Sequence, residues 1–348
     1  MKTVYILGAG CSVEDGVPLV NDFLNIALET KRKLSCEGDR KRFDNVFIFR
    51  NKEIPNSNIE ELFSYIDFKI SMCEPFDRPT YKSIRNDLLF LIGQTISKNI
   101  IKGSSHNYNL FKSRLRGDST VITFNWDILL DNHLTANILE EGINTEVHLE
   151  IDYGGDFFEL YKDEVNNRFN YRDVKRKGIK LLKLHGSFNW LFCKDNIRCM
   201  HRFFVNGNKV QFELFKGKTY TCPACNKVNL LPLIVPPSFE KNEQMWPLSD
   251  IWQEAENELI NCEKIVIIGY SFPNNDVHSK LFLQSCISKN FHKNKRPIKV
   301  DIVNYKEYLH EKEDFEKHYS NVLYNVKEYI RPNFKYEKFS EHYSFIKK

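Results

Sequence analysis

No stretch of this chain approaches the ~18 consecutive apolar residues that a membrane-spanning helix requires. The sequence also opens directly into the strand-like Thr3-Val4-Tyr5-Ile6-Leu7, without the basic, apolar and small-residue succession of a secretory leader. The first absence argues against a helical membrane protein, and the two together make a cytoplasmic location the default expectation. Charge of one sign is scarce as well. The formal net charge is +4, too mild and too spread out to indicate direct nucleic-acid binding. Residues 289–348 hold 14 Lys and Arg against 9 Asp and Glu, so the excess belongs to the tail, as a solvated face or as a surface for a partner. Internal repeats and low-complexity tracts are missing, which excludes repeat arrays. The nine cysteines are an odd set, and with no leader they point to reduced thiols and a metal site rather than a disulfide framework.

The 348 residues, 42% apolar and 28% charged, have the balance of a folded globular protein. They suffice for one large domain carrying insertions or for two domains. Five short apolar runs read as strands: Thr3 to Leu7, Thr120 to Phe124, Leu181 to Leu184, Lys264 to Ile268 and Lys299 to Val303. Near-continuous apolar strands alternating with helical patterns predict an α/β fold, a Rossmann-like, mainly parallel sheet with helices on both faces. Ligands of such sheets bind outside the carboxyl ends of the strands. There the five runs lead into Gly8-Ala9-Gly10-Cys11-Ser12, Asn125-Trp126-Asp127, His185-Gly186-Ser187, Gly269-Tyr270-Ser271 and Asn304. Turn formation alone gives no reason to gather an Asn, an Asp and a His beside two glycine turns.

Two segments depart from this alternation. Residues 37–117 read as a helical insertion, with Ile59, Leu62, Phe63 and Ile66 at helical spacing and a second apolar-periodic stretch from Leu88 to Ile101. Residues 193–230 carry aromatic strand-like pieces, Gly207, Gly217 and four cysteines, and read as a small, zinc-ribbon-like inserted module. Cys222-x-x-Cys225 has zinc-knuckle spacing, since two thiolates on one tight turn can occupy adjacent corners of a tetrahedron. Cys193 and Cys199 are the candidate partners, with five residues between them, and His201 is an alternative ligand. A degenerate module held by its hydrophobic residues is the competing reading. Cys11, Cys36, Cys73, Cys262 and Cys286 are scattered and read as buried small residues.

The turn Gly8-Ala9-Gly10-Cys11-Ser12 is of the kind whose backbone amides approach a pyrophosphate at the start of a helix. Val13 occupies the third position of a GxGxxG pattern, so the dehydrogenase fingerprint is not met. The wider pattern Gly8-Ala9-Gly10-x-Ser12-x-x-x-Gly16-Val17-Pro18 resembles the opening signature of sirtuins. Phe124-Asn125-Trp126-Asp127 resembles their Gln-Asn-x-Asp segment, and Leu184-His185-Gly186-Ser187 their His-Gly, which carries the catalytic histidine. Cys222-Pro223-Ala224-Cys225 followed by Leu231-Pro232-Leu233-Ile234-Val235-Pro236-Pro237 is similar to the second half of the sirtuin zinc module. Gly269-Tyr270-Ser271 is similar to the family's Gly-Thr-Ser phosphate contact, and Asn304 falls where sirtuins place an asparagine against the adenosine ribose.

This resemblance implies a single domain over residues 1–348. It also implies NAD as substrate, with cofactor contacts at Gly8, Ala9, Gly10, Ser12, Gly269, Ser271 and Asn304, and a structural zinc on Cys193, Cys199, Cys222 and Cys225. Protein-deacylating sirtuins continue Asp-Phe-Arg after Gly-Val-Pro, whereas here Leu19-Val20-Asn21-Asp22-Phe23 follows and the Arg is absent. Ile59-Glu60-Glu61-Leu62 and Ser271-Phe272-Pro273-Asn274-Asn275-Asp276 are closer to bacterial sirtuin-like proteins that degrade NAD in antiphage defence. The resemblance therefore implies an NAD glycohydrolase, with a protein deacylase and a non-catalytic NAD or ADP-ribose sensor as the alternatives.

Breaking the nicotinamide–ribose bond expels an already cationic leaving group, so the enzyme must mainly stabilise an oxocarbenium-like ribose and position a nucleophile. Asn125 is expected to orient the ribose hydroxyls or the attacking water, His185 to act as general base, and Asp127 to hold the loop. Asp127 is also placed as a helix N-cap ahead of Ile128-Leu129-Leu130. The size of the helical insertion leads to the expectation of a homo-oligomer, and the resemblance to that of a partner ATPase.

Overall fold

The computed structural model describes residues 1–100, 106–135, 150–163, 168–174, 177–193, 195, 199–205, 213–235, 246–273 and 276–344. Ile101, Gly207, Pro236, Pro237, Asn274 and Asn275, quoted above, lie outside them. In chain order the described elements are β1 (Thr3–Leu7), α1 (Phe23–Arg32), α2 (Glu37–Glu53), α3 (Ile59–Met72), α4 (Arg78–Asn99), α5 (His106–Lys112), β2 (Thr120–Thr123), α6 (Leu129–Thr135), β3 (Ile151–Asp152), β4 (Phe157–Lys162), β5 (Phe169–Asp173) and β6 (Ile179–Lys183). They continue with β7 (Gly186–Cys193), β8 (Arg202–Phe204), β9 (Leu230–Ile234), α7 (Ser249–Ile260), β10 (Lys264–Ile268), α8 (Val277–Asn294), β11 (Ile298–Val303), α9 (Leu309–Val322), β12 (Ile330–Lys335) and α10 (Phe339–Ser344). No described helix is long and apolar enough to cross a membrane.

Seven strands pair in parallel in the order β12-β11-β10-β1-β2-β6-β3. Every residue of β2, and Ile265 to Ile268 of β10, is buried. Successive strand side chains point to opposite faces, so both faces of the sheet are covered. The five apolar runs form the middle of this sheet. Its edges, β3 and β12, gave no comparable signal. β3 is two residues long, and β12 carries Pro332, which an edge strand tolerates because one side of it needs no ladder hydrogen bond.

Within residues 37–117 lie α2 to α5, and α4 packs against α1, α2 and α3. Leu88, Leu89, Phe90, Leu91 and Ile92 of α4 are all buried, so this helix is enclosed around its whole circumference there. Ile59, Leu62, Phe63 and Ile66 of α3 join the same core. The named residues of these apolar stripes are thus covered by the chain's own core, whereas Ile48, Phe68, Met72 and Phe76 of the same insertion are exposed.

Five strands form a second sheet, in the order β5-β4-β8-β7-β9. Its satellite core of Leu160, Leu191, Phe203, Val205 and Leu230 surrounds Cys193 and Cys222. Residues 193–230 supply β8 and the cysteines, while β4, β5 and most of β7 and β9 flank that segment. Only Leu184 and His185 separate β6 of the first sheet from β7 of the second. Gly186 sits at this junction with φ +73°, and a Cβ there would lie 2.0 Å from the Leu233 carbonyl oxygen, so no other residue fits. Of the scattered cysteines, Cys11, Cys262 and Cys286 are buried as expected, whereas Cys36 is exposed and Cys73 half-buried. Cys36 sits at the exposed N-cap of α2, outside any core.

Candidate functional site

The chain leaves β1 for β2 on one side, and β10 adjoins β1 on the other before the chain moves on to β11. The carboxyl ends of β1 and β10 therefore flank the topological switch point, where a doubly wound sheet opens a crevice. The two glycine turns interlock there. Gly8 N donates to Ile268 O at 2.9 Å and Gly10 N to Gly269 O at 2.9 Å. A Cβ on Gly8 would come within 2.4 Å of Tyr270 Cα, and Gly269 adopts φ +60° with Cys11 N 2.7 Å from its Cβ position. The expectation that these glycine amides approach a pyrophosphate at a helix start thus meets a different geometry. The Gly8 amide is committed to the end of β10 and the Gly10 amide to the turn after it, and a single 3-10 turn, Ala9–Ser12, follows.

A cavity of about 810 Å³ opens at this point. Ala9, Gly10, Asn125, Asp127, His185, Gly269, Ser271 and Asn304 all line it, whereas Gly8 and Ser12 do not. Gly8 and Ser12 instead hold residues that do. Asn125 Nδ2 donates to Gly8 O at 3.0 Å and approaches Ser12 Oγ at 3.5 Å, which leaves the amide oxygen as the remaining polar atom of that side chain. Ser12 Oγ donates to Asp127 Oδ2 at 3.0 Å and meets the Tyr108 hydroxyl at 2.9 Å.

Asp127 does act as a helix cap. Its Oδ1 accepts the Leu129 backbone N–H at 3.0 Å at the start of α6. Burial pushes its carboxyl above the usual range, against the pull of Lys183 and of the Leu129 and Ser12 donors. Lys183, itself buried, donates to the Asp127 carbonyl at 2.6 Å and pairs with Asp131 at 2.9 Å, and Asp131 also accepts the Tyr153 hydroxyl at 2.8 Å. This buried network fixes the 125–127 loop to β6, two residues ahead of His185.

His185 is buried at the end of β6. Its ring meets Phe124 edge-on at 5.1 Å, and Phe124 stacks on Tyr270 at 4.4 Å with the planes 11° apart. His185 Nε2 lies 3.4 Å from Asp276 Oδ2, and only 1% of the Asp276 side chain is exposed. The same oxygen accepts the Tyr270 hydroxyl at 2.7 Å and Ser279 Oγ at 2.6 Å. Burial, and then the Asp276 charge, hold the Tyr270 phenol well above its usual value, so it stays a donor. Asp276 was given no site role from sequence, where it only closes the stretch Ser271 to Asp276. It immediately precedes α8 with Ser279 three positions on, the appearance of an ordinary helix cap, and that appearance hid its contact with His185.

The four module cysteines converge. Their sulfur atoms all lie within 4.8 Å of one another, with Cys193–Cys225 and Cys199–Cys222 each at 3.7 Å. A tetrahedral zinc with bonds of about 2.3 Å spaces its sulfurs by about 3.8 Å, so the donor set fits that ion. Burial raises the Cys222 thiol to about 11. Cys225 is slightly desolvated, but amide donors from Lys227 and Val228 bring it down to about 7. His201, the alternative ligand, turns Nδ1 to Cys199 O at 2.5 Å and Sγ at 3.1 Å and stands outside the tetrad. The cluster belongs to the satellite core of the second sheet and does not line the 810 Å³ cavity.

No family model matches this chain. No curated protein matches it either. Among solved structures it is similar to Sir2 in complex with an inhibitor, 2'-O-acetyl-ADP-ribose and a deacetylated p53 peptide, at 16% identity and a TM-score of 0.38, over 98% of this chain and 90% of that one. So distant a likeness adds nothing to the strand order and register, which define the α/β fold by themselves.

Proposed function

We propose that the cavity at the switch point takes NAD as substrate and hydrolyses its nicotinamide–ribose bond, yielding nicotinamide and ADP-ribose. One observation carries this reading: Asn125 and a buried His185–Asp276 pair converge on a single cavity large enough for a dinucleotide's reacting half. As the C1'–N bond breaks, its electron pair leaves with the pyridinium nitrogen, and nicotinamide departs neutral. Asn125, its nitrogen held by Gly8, offers its carbonyl oxygen to a ribose hydroxyl or to the incoming water. The water oxygen bonds to C1', and His185 takes the proton it releases. Asp276 holds the Nε2 proton, which fixes the tautomer and steadies the imidazolium that forms.

In this reading Ala9, Gly10, Gly269, Ser271 and Asn304 contact the dinucleotide, and Gly8 and Ser12 support Asn125 and Asp127 from behind. Cys193, Cys199, Cys222 and Cys225 hold a zinc that fastens the second sheet and takes no part in the chemistry. The sequence resemblance extends the proposal to antiphage defence beside a partner ATPase that restrains NAD loss, and the size of the helical insertion extends it to a homo-oligomer in the cytoplasm.

The test is product identity. Purified protein given NAD, alone and with an acetylated peptide, is expected to release nicotinamide and ADP-ribose in both cases. Asn125→Ala and His185→Ala should each slow release by roughly two orders of magnitude. Peptide deacetylation would support the deacylase instead, and NAD binding without any product would support the sensor.

A further inference from the structure

A second cavity, of about 470 Å³, lies between α1, the last turns of α2 and the loop leading into α3. Its polar wall is formed by Asn25 of α1, Arg50 and Asn51 of α2, and Asn56 and Ser57 of the loop, while Leu24, Leu28 and Phe47 supply an apolar side. Among the described residues no carboxylate lines it. Arg50 uses Nε to donate to Ser57 O at 2.7 Å and has no carboxylate partner among the described residues. Ser57 is 8% exposed, and its Oγ is buried with no hydrogen-bond partner. A buried, unsatisfied hydroxyl is unfavourable and calls for a physical reason. The amides at the start of α3 do not supply the attraction, because Asn58 Oδ1 already accepts from Glu60 N and Glu61 N.

We propose that this cavity binds a nucleoside 5'-phosphate. A guanidinium that spends only Nε on the protein and has no carboxylate partner among the described residues suits a phosphate monoester, and the buried Ser57 hydroxyl joins only after its side chain turns toward the cavity. The volume exceeds what a bare phosphate fills. Leu24, Leu28 and Phe47 offer a surface for a flat base, and the side-chain amides of Asn25 and Asn51 carry both donors and acceptors for its edge. Val20, Asn21 and Asn58 line both cavities, so a ligand here bears on the wall of the larger one as an effector. The binding itself stands independently of the NAD reading.

Calorimetry of the whole chain with 5'-AMP, and separately with inorganic phosphate, tests the proposal. 5'-AMP should bind, and affinity should fall roughly tenfold to hundredfold in Arg50→Gln, the loss expected for a charge-assisted contact. Asn25→Trp, at an exposed helix position whose ring would fill the cavity, should abolish binding without touching Arg50. Asn304→Ala, in the larger cavity, should leave it within about twofold. The proposal is overturned if 5'-AMP shows no binding up to about 1 mM, or if binding survives Arg50→Gln and Asn25→Trp while Asn304→Ala removes it. Inorganic phosphate binding as tightly as 5'-AMP would overturn the nucleoside part.

Discussion

Replacing Asp276 by Asn keeps the size of the side chain and removes its charge. Asp276 Oδ2 gathers the Tyr270 hydroxyl at 2.7 Å, Ser279 Oγ at 2.6 Å and His185 Nε2 at 3.4 Å. An amide oxygen in that place can still accept from all three, so the packing around the stacked Phe124 and Tyr270 rings is preserved. What disappears is the attraction between the carboxylate and the imidazolium that forms when His185 takes a proton. At this separation a unit charge pair is worth about 5 kcal/mol for an effective dielectric near 20, an upper limit of roughly three to four orders of magnitude in rate. Should the amide nitrogen face His185 instead, the wrong tautomer is imposed and the loss is similar. The expected outcome for Asp276→Asn is a fall in kcat for nicotinamide release of about 10²- to 10³-fold, with KM changed by less than about threefold. The weakened hydrogen bonds should lower stability by about 1–3 kcal/mol, visible as a fall of a few degrees in Tm. The assay is nicotinamide release against NAD concentration, with a thermal melt on the same preparation. Turnover near the parent rate, or a loss confined to KM, would refute a role for Asp276 in positioning His185.

Two further outcomes follow from the geometry. Elemental analysis should find about one zinc per chain, and Cys222→Ser should lower Tm while the product of the NAD reaction stays the same, since the cluster lies in its own core; metal-free protein with an unchanged melt would remove the site. Glu258 is 5% exposed, yet its carboxyl lies below the ordinary 4.5, because Lys180, Lys2 and Thr120 outweigh the desolvation that raises it. A depressed folded pKa gives stability that is complete above the unfolded value of 4.5 and is lost as pH falls through the folded value. Glu258→Gln should therefore cost about 1–3 kcal/mol in urea unfolding at pH 7 and much less at pH 3, and an equal cost at both pH values would contradict the assignment.

The parts of this molecule that could be read from sequence are those with a local cause. Ile265 to Ile268 had to be a strand covered on both faces, because four adjacent apolar residues leave no polar side to face water. The residues following such strands then had to meet at one end of the sheet, and eight of the ten named candidates outside the cysteine module do line one cavity. β5 failed to register because Phe169-Asn170-Tyr171-Arg172-Asp173 is short and largely exposed, and its two alternating aromatics, Phe169 and Tyr171, are too few to reveal a period. The capping role of Asp127 was legible in its distance from β2. The contact between Asp276 and His185 was not, because it joins residues 91 positions apart in the chain and depends on how the start of α8 is set against the end of β6. Gly8 and Gly10 carry the same lesson in reverse. Their sequence pattern suits a phosphate turn, but a glycine is needed wherever two backbones touch, and only the pairing of β1 with β10 shows that here the second backbone is the protein's own. A glycine turn after a strand therefore identifies a place of close approach, and the identity of what approaches has to come from the strand alongside it.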